Sequence, residues 1–101
     1  MQINANELNI VHNQAESRFE IWIDNQLSKL DYIRDGSTIV MTHVGVHPDQ
    51  RGQGVAGKLT EVALEYAKAE SLRVIPMCSY VAAYIRRNAK YAELTKQRTG
   101  E

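Results

Sequence analysis

Hydrophobic and polar residues alternate along the first half of the chain with the period of two that is typical of β-strands. In segment 17–24, for example, every second position from Phe19 to Ile23 is apolar, and the positions between them are charged or bulkier. A turn-forming Asp35-Gly36 pair separates two further runs of this kind. The pattern predicts an antiparallel meander of four strands at residues 8–13, 17–24, 27–35 and 37–46.

After Pro48 the apolar positions recur every three or four residues, and charged residues occupy the other faces. These apolar positions are Val55, Leu59, Val62 and Tyr66. They predict an amphipathic helix at residues 55–70. A short apolar run at residues 72–78 predicts a buried strand, and residues 79–87 predict a second helix.

The predicted order of elements is ββββαβα, which describes an α+β fold with a mixed α/β sheet. A crossover from the fourth strand through the first helix to the fifth strand makes that pair of strands parallel. A chain of 101 residues is long enough to bury one hydrophobic core. We therefore expect a single domain over residues 1–101, with a loose tail from about residue 90.

The composition argues against membrane and secreted classes of protein. No apolar run approaches the roughly 18 residues that a membrane span needs, and the first residues lack the basic and apolar pattern of a signal peptide. The single cysteine, Cys78, has no partner for a disulfide within the chain, which fits a reducing compartment. We expect a cytoplasmic protein, monomeric or weakly homodimeric, with no membrane partner.

The formal net charge of zero conceals an asymmetry between the two halves of the chain. Residues 1–50 carry three Lys or Arg and seven Asp or Glu, hence −4, whereas residues 51–101 carry nine and five, hence +4. This asymmetry suits a polyanionic ligand at the second half with a cationic substrate opposite, and it equally suits two solvated surfaces. Without an overall positive charge or a stripe of basic and aromatic residues, no nucleic-acid partner is expected. One cysteine and three scattered histidines favour no metal site.

The segment RGQGVAGK, Arg51–Lys58, matches three phosphate-binding patterns, and its context favours one of them. A nucleotide-hydrolysing P-loop needs Ser or Thr directly after the lysine, where this chain has Leu59. A dinucleotide-binding fingerprint needs an acidic residue about 20 positions later, at the end of the next strand, and that strand carries none. The third pattern, Arg-x-x-Gly-x-Ala, is satisfied by Arg51, Gly54 and Ala56 at the start of the predicted helix.

The stretch THVGVHPDQRGQGVAGKL, residues 42–59, resembles motif A of the GNAT superfamily of acetyl-CoA-dependent N-acetyltransferases. Within the GNAT superfamily, the chain is similar to the small single-domain YjdJ-type subgroup. The residues that carry this similarity are RGQGVAGKL, VIPMCSYVAAYIRRN and Thr42-His43. The resemblance implies a GNAT-like acyl-CoA N-acyltransferase fold, and transfer of acetyl from acetyl-CoA to an amine such as a lysine side chain, a polyamine or a small amine. Because the helices that help to form the acceptor pocket in longer members are missing, a non-catalytic acyl-CoA-binding or sensing module is the alternative.

The predicted coenzyme A site rests on the properties of a helix start. N–H groups there have no partner within the helix and the helix dipole favours an anion, so they can bind a diphosphate. A side chain at Gly54 would stand where a phosphate oxygen must lie. The resemblance further implies that the main chain of the fourth strand holds the pantetheine arm. The predicted coenzyme A residues are Val44, Val46, Arg51, Gly52, Gln53, Gly54, Val55 and Ala56.

The resemblance also places Cys78, at the end of the fifth strand, beside the acetyl group. In one route the Cys78 thiolate, favoured by His43 or by the next helix, accepts the acetyl group covalently. In the other, a bound amine attacks directly while His43 removes its proton. Cys78 and His43 are therefore the predicted catalytic residues, although a small apolar cysteine and an ordinary surface histidine fit the same positions. Tyr80 and Tyr84 fit either the acceptor side or core packing.

Overall fold

The computed structural model describes residues 8–96 and contains, in that range, five strands and two α-helices. The strands are β1 (Val11–Asn13), β2 (Arg18–Ile23), β3 (Gln26–Asp35), β4 (Thr38–Gly45) and β5 (Arg73–Pro76). The α-helices are α1 (Val55–Ala69) and α2 (Ser79–Arg87), and 3-10 helices lie at Pro48–Gln50 and Ala89–Thr95. The predicted order ββββαβα is confirmed, and in the described part of the chain neither helix has the length and apolar character of a membrane span.

The five strands form one sheet in the order β1-β2-β3-β4-β5. Neighbouring strands are antiparallel except β4 and β5, which are parallel because α1 carries the chain back between them. Asp24 and Asn25, both with positive φ, close the two-residue turn between β2 and β3. The mixed sheet of the predicted α+β fold is therefore confirmed.

One face of the sheet forms the hydrophobic core together with both α-helices. The apolar stripe of α1, which includes Val55, Leu59 and Ala63, is almost completely buried. The strand residues packed into the same core are Phe19, Ile21, Leu30, Tyr32, Ile39, Met41 and Val74. Since Val81 and Ile85 of α2 belong to that core, α2 lies on the same face as α1.

The other face of the sheet carries the alternate residues of each strand. We call it the open face, because Trp22 and Ile33 on it are 56% and 59% exposed. It also carries Lys29, Asp31 and His43, which the strand pairing places side by side on β3 and β4. Antiparallel sheets tolerate such a solvated face, and its polar residues are compatible with contact to water or to a ligand.

A β-bulge in β4 decides which residues reach the open face. Met41 pairs with Tyr32 and His43 pairs with Asp31, so Thr42 is a surplus residue without its own partner on β3. Strict alternation would have placed His43 on the same face as Met41, in the core. The surplus residue moves His43 to the open face instead, because a shift of one position exchanges the two faces of a strand.

Several boundaries differ from those predicted. The first strand covers residues 11–13 and not 8–13, and the last covers residues 73–76 and not 72–78. The expectation of a loose tail is wrong for residues 90–95, which continue the 3-10 helix Ala89–Thr95. Tyr91 in this segment is 1% exposed, and its hydroxyl donates to Glu65 Oε2 at 2.6 Å, which anchors the segment to α1. The remainder of the predicted tail, residues 97–101, lies outside the described residues.

Candidate active site

A cavity of about 710 Å³ opens where β4 ends and α1 begins. We call it the β4 cavity. Its walls are Leu27, Lys29, His43, Val44, Gly45, Val46, His47, Gln50, Arg51, Gly52, Gly54, Val55, Ala56, Gly57 and Tyr80. The cavity thus brings together every predicted coenzyme A residue except Gln53, whose amide donates to the main-chain oxygen of Asp49.

The glycine-rich loop turns the start of α1 toward this cavity. Gly52 and Gly54 have φ values of 77° and 82°, a left-handed conformation that glycine adopts without strain. Gly54 is the N-cap of α1 and supplies no side-chain hydrogen bond, and the first turn contains no acidic residue. The first helical bond runs from Lys58 N–H to Gly54 O at 3.0 Å. Within residues 8–96, the N–H groups of Val55 and Ala56 therefore have no acceptor, and they remain available to an anion.

A buried hydrogen-bond network holds the segment before the glycines. Gln50 is 2% exposed; its side-chain oxygen accepts from the Ser28 hydroxyl, and its side-chain nitrogen donates to Gln26 O at 3.1 Å. The Ser28 oxygen in turn accepts the N–H of His47 at 2.9 Å. Sequence reasoning missed this network, because Ser28 belongs to no recognisable motif and lies 22 positions from Gln50.

His43 lies on the open-face wall of the cavity and is exposed. Its ring lies against Gly45, since a Cβ atom added at Gly45 would stand 2.9 Å from His43 Nε2. Lys29 is paired with Gly45 across β3 and β4, and Lys29 Nζ lies 3.2 Å from Asp31 Oδ2. The imidazole therefore has free access to the cavity, with one ammonium group on the neighbouring strand.

Cys78 occupies the N-cap position of α2, and its side chain packs partly against the core. Its N–H donates to Met41 O at 2.9 Å, directly after the last pair of the parallel ladder, Met41 with Pro76. Beyond that pair, β4 has no partner on its β5 side among the described residues. Cys78 is not part of the cavity wall, so of the two predicted catalytic residues the structure places only His43 in that wall.

The two tyrosines of α2 have different surroundings. Tyr80 lines the cavity, and its hydroxyl lies 3.6 Å from the position of a Cβ atom added at Gly57. Tyr84 stacks on Tyr91 with ring centroids 6.2 Å apart, and burial, followed by the nearby Glu61 carboxylate, raises the pKa of its hydroxyl. Tyr80 therefore faces the candidate site, whereas Tyr84 belongs to the packing of α2.

Comparison with known families agrees with this geometry. A family described as GCN5-related N-acetyl-transferase matches residues 18–94, which include the whole β4 cavity. The chain belongs to this family. GCN5-related N-acetyltransferases are acyl-transferring enzymes, so both the predicted superfamily and the prediction of an enzyme are confirmed.

A solved structure of the same family type supports the fold. The chain is similar to the solution structure of a protein from Staphylococcus aureus that is described as GCN5-like and as a candidate N-acetyltransferase. The two sequences are 28% identical, the TM-score is 0.70, and the similarity covers 93% of this chain and 94% of the other. The similarity therefore extends over nearly the full length of both chains.

GCN5-related N-acetyltransferases generally use acetyl-CoA, and the β4 cavity fits the diphosphate of that molecule. A Cβ atom added at Gly52 would meet no protein atom within 4 Å, so this glycine faces open space and not a packed neighbour. The N–H groups at the start of α1, which have no acceptor within residues 8–96, supply donors, and Arg51 supplies a cation. In the described part of the chain, no three His, Cys, Asp or Glu side chains converge to ligate a metal ion.

Proposed function

We propose that this chain transfers the acetyl group of acetyl-CoA to an amine bound in the β4 cavity. One observation carries the proposal: the unpaired N–H groups at the start of α1 line a cavity that also contains an exposed histidine. The first feature is an anion site, and the second is a base for an amine. Both features lie within the residues that match the family.

Coenzyme A is held, in this proposal, by the loop and by the end of β4. The residues proposed to bind its diphosphate are Arg51, Gly52, Gln53, Gly54, Val55 and Ala56. The main chain of Val44 and Val46 is proposed to hydrogen-bond the pantetheine arm along the part of β4 that lacks a β5 partner. Acetyl-CoA supplies the acetyl group as a thioester, and main-chain N–H groups of β4 stabilise negative charge on its carbonyl oxygen.

His43 is proposed to remove the proton of the attacking amine. A lysine-like amine has a pKa about 3 units above neutrality, so forming its neutral state costs roughly 4 kcal/mol at pH 7. The ammonium form of the amine first gives one proton to His43. The neutral nitrogen then bonds to the acetyl carbon, the carbon–sulfur bond of the thioester breaks, and the second proton lost by the nitrogen passes to the sulfur, so coenzyme A leaves as a thiol. The exposed ring can then release the proton to water.

Cys78 supports a second route that begins with acetyl transfer to sulfur. Cys78 occupies the N-cap of α2 and makes no side-chain capping hydrogen bond there, so its sulfur is not committed to the helix start. The sulfur attacks the acetyl carbon, coenzyme A departs, and the amine then takes the acetyl group and restores the thiol. Mass spectrometry after mixing with acetyl-CoA alone distinguishes the routes, because only the second one adds an acetyl group to Cys78.

Two glycine variants test the cofactor site. Gly52→Ala and Gly36→Ala each place a methyl group at a positive φ with no protein atom within 4 Å, so both should cost about 1–2 kcal/mol of stability. Only Gly52→Ala should also weaken acetyl-CoA binding, by about tenfold or more, because it disturbs hydrogen bonds to a charged group. Calorimetric titration measures the affinities, and equal affinities in the two variants would contradict the proposed site.

Turnover assays test the chemistry. Wild-type protein should release coenzyme A only when an amine is present, and His43→Gln should lower kcat by about 100-fold or more. Saturating acetyl-CoA at a hundredfold excess over Kd should stabilise the fold by about 2.7 kcal/mol, and each kcal/mol raises Tm by roughly 4–8 °C in a domain of this size. A large Tm shift without release of coenzyme A by any amine would instead support a non-catalytic acyl-CoA-binding module.

A further inference from the structure

The charged groups that line the β4 cavity are all cationic or imidazole. They are Lys29, His43, His47 and Arg51. No Asp or Glu of residues 8–96 belongs to the wall, although the chain as a whole has equal numbers of acidic and basic residues. The wall therefore contributes two fixed cations, Lys29 and Arg51, and no carboxylate, while Lys29 is paired with Asp31 and His47 Nδ1 lies 3.9 Å from Asp49 Oδ2.

The walls of the cavity divide at the β4 backbone. The loop, the start of α1 and the main chain around Val44 form one side, which the proposed function assigns to coenzyme A. Leu27, Lys29, His43 and Gly45 form the other side, on the open face of the sheet. With the first side taken by the cofactor, the open-face side is the part of the cavity that an acceptor can reach.

Lys29 is the fixed cation of that acceptor side. Its ammonium group lies 3.2 Å from Asp31 Oδ2, and the two side chains are 35% and 28% exposed. Asp31 holds the lysine from the same strand and is not one of the wall residues. Gly45 lies between Lys29 and His43 without a side chain of its own, so the ammonium and the imidazole border the same space.

We propose that the acceptor is a small amine that carries an anionic group, a carboxylate or a phosphate, close to its amine. Lys29 binds the anion, and the amine faces His43. This inference rests on the proposed function and narrows its substrate class. A polyamine or an isolated lysine side chain brings only positive charge to a cavity that already holds cations, whereas a zwitterionic amine brings a partner for Lys29.

The experiment compares matched amines as acceptors at saturating acetyl-CoA. The panel contains α-amino acids, the amines left when each loses its carboxylate, 2-aminoethyl phosphate and spermidine. The anionic members should exceed their uncharged-tail partners in kcat/KM by about tenfold or more, which is the scale of one charge-assisted hydrogen bond. Whether the amino acids or the aminoalkyl phosphate react faster then identifies the anion.

Variants of the open face connect the preference to Lys29. Lys29→Met should abolish the preference and Lys29→Arg should retain it, because only the arginine preserves a cation at that position. Arg18→Met is the matched control, since Arg18 lies on the same face, is paired with Glu20 and is not a wall residue. In Arg18→Met, the ratio of kcat/KM for the anionic amines to kcat/KM for their uncharged-tail partners should equal that of the wild type.

The outcomes separate this inference from the function on which it rests. If decarboxylated amines or spermidine react as well as the anionic amines, the inference is overturned while acetyl transfer stands. If acetyl-CoA neither binds nor reacts, both fail. If acetyl-CoA binds but no amine reacts, the Tm of the protein saturated with acetyl-CoA is measured with and without each amine. If the anionic amines do not raise this Tm further, the inference is overturned.

Discussion

The two ends of the central sheet are built in different ways. Where α1 begins, the structure relies on main-chain groups and glycines, and Gly52 and Gly54 leave helix N–H groups open to a cavity. Where α1 ends, it relies on aromatic side chains, and the rings of His12, Phe19 and Tyr66 pack together on the same face of the sheet. Among the described residues, the helix N–H donors at the first end have no acceptor, whereas the second end is closed by contacts between side chains.

The aromatic end satisfies its polar groups internally. His12 stacks on Phe19 with ring centroids 4.1 Å apart, and His12 Nε2 is hydrogen-bonded to the Tyr32 hydroxyl at 2.6 Å. Arg34 Nη1 donates to the Tyr66 hydroxyl at 2.7 Å. Burial, and then the charge of Arg34, lowers the pKa of His12, and burial raises the pKa of Tyr32. Both groups are therefore kept neutral at neutral pH.

The difference shows how a small domain separates stability from binding. Glycines at positive φ and helix N–H groups without an acceptor within residues 8–96 contribute no side-chain packing at one end, so the packing that holds the fold has to lie elsewhere. Here it lies in the core and in the aromatic cluster at the far end of α1. Mutations at the two ends should accordingly change different measured quantities.

The largest expected effect lies at the aromatic end. Phe19→Ala should lower the free energy of unfolding by about 3–5 kcal/mol, because it leaves a cavity in a site that is 1% exposed. Acetyl-CoA affinity of the folded protein should stay the same. Urea unfolding and calorimetric titration measure the two quantities, with the exposed Ile33→Ala as control, and Phe19→Leu gives a smaller loss if the alanine variant does not fold. If Phe19→Ala also weakened acetyl-CoA binding, the proposed separation of stability from binding would be contradicted.

Gln50 tests the connection between the loop and the fold. Gln50→Leu should cost about 1–3 kcal/mol of stability, since it leaves the buried Ser28 hydroxyl and the Gln26 carbonyl without their partner. It should also weaken acetyl-CoA binding, because the loop loses its anchor. A double-mutant cycle with Ser28→Ala checks the coupling, and strictly additive losses would show that the network does not act as a unit.

A variant of Gly45 tests the catalytic step separately from acetyl-CoA binding in the β4 cavity. Gly45→Ala places a methyl group 2.9 Å from the position that His43 Nε2 occupies in the wild-type protein, so the imidazole ring must move. We expect kcat to fall at least about tenfold with little change in Tm or in acetyl-CoA affinity. Adding Gly45→Ala to His43→Gln should lower kcat no further than His43→Gln alone does, whereas an additional loss would assign the methyl group some effect other than displacing the base.

The smallest expected effect is a pH dependence from the aromatic end. A lowered pKa of His12 in the folded state means that the unfolded chain binds more protons, so stability is present above pH 6.5 and is lost as the pH falls through the folded value. Tm should therefore be lower at pH 5.5 than at pH 7.5, and His12→Phe should reduce that difference. Glu20 and Glu65, whose pKa values are lowered by hydrogen bonds from Arg18 and Tyr91, act only at lower pH. An undiminished difference in His12→Phe would contradict the assignment.

Much of the fold could be predicted from the sequence because its signals are local. Alternation marked β2 and β3, the spacing of Val55 and Leu59 marked α1, and the crossover rule made β4 and β5 parallel. The ends of elements were less predictable. The 3-10 helix Ala89–Thr95, for example, depends on a hydrogen bond from Tyr91 to Glu65, 26 positions away.

The candidate site was predictable only where main-chain geometry follows from residue type. Glycines at 52 and 54 pointed to the loop, which the structure places in the cavity wall. The contacts of His12 with Tyr32 and Tyr66 and the contribution of Lys29 had no local signal, since they join segments that lie far apart in the sequence. The catalytic assignments of Cys78 and His43 stay predictions.

The surplus residue at Thr42 has a consequence for protein engineering. The number of residues in β4, and not their identity, decides which face of the sheet carries the His43 imidazole. Deleting Thr42 therefore offers a way to move the His43 imidazole to the other face of the sheet without replacing any other side chain.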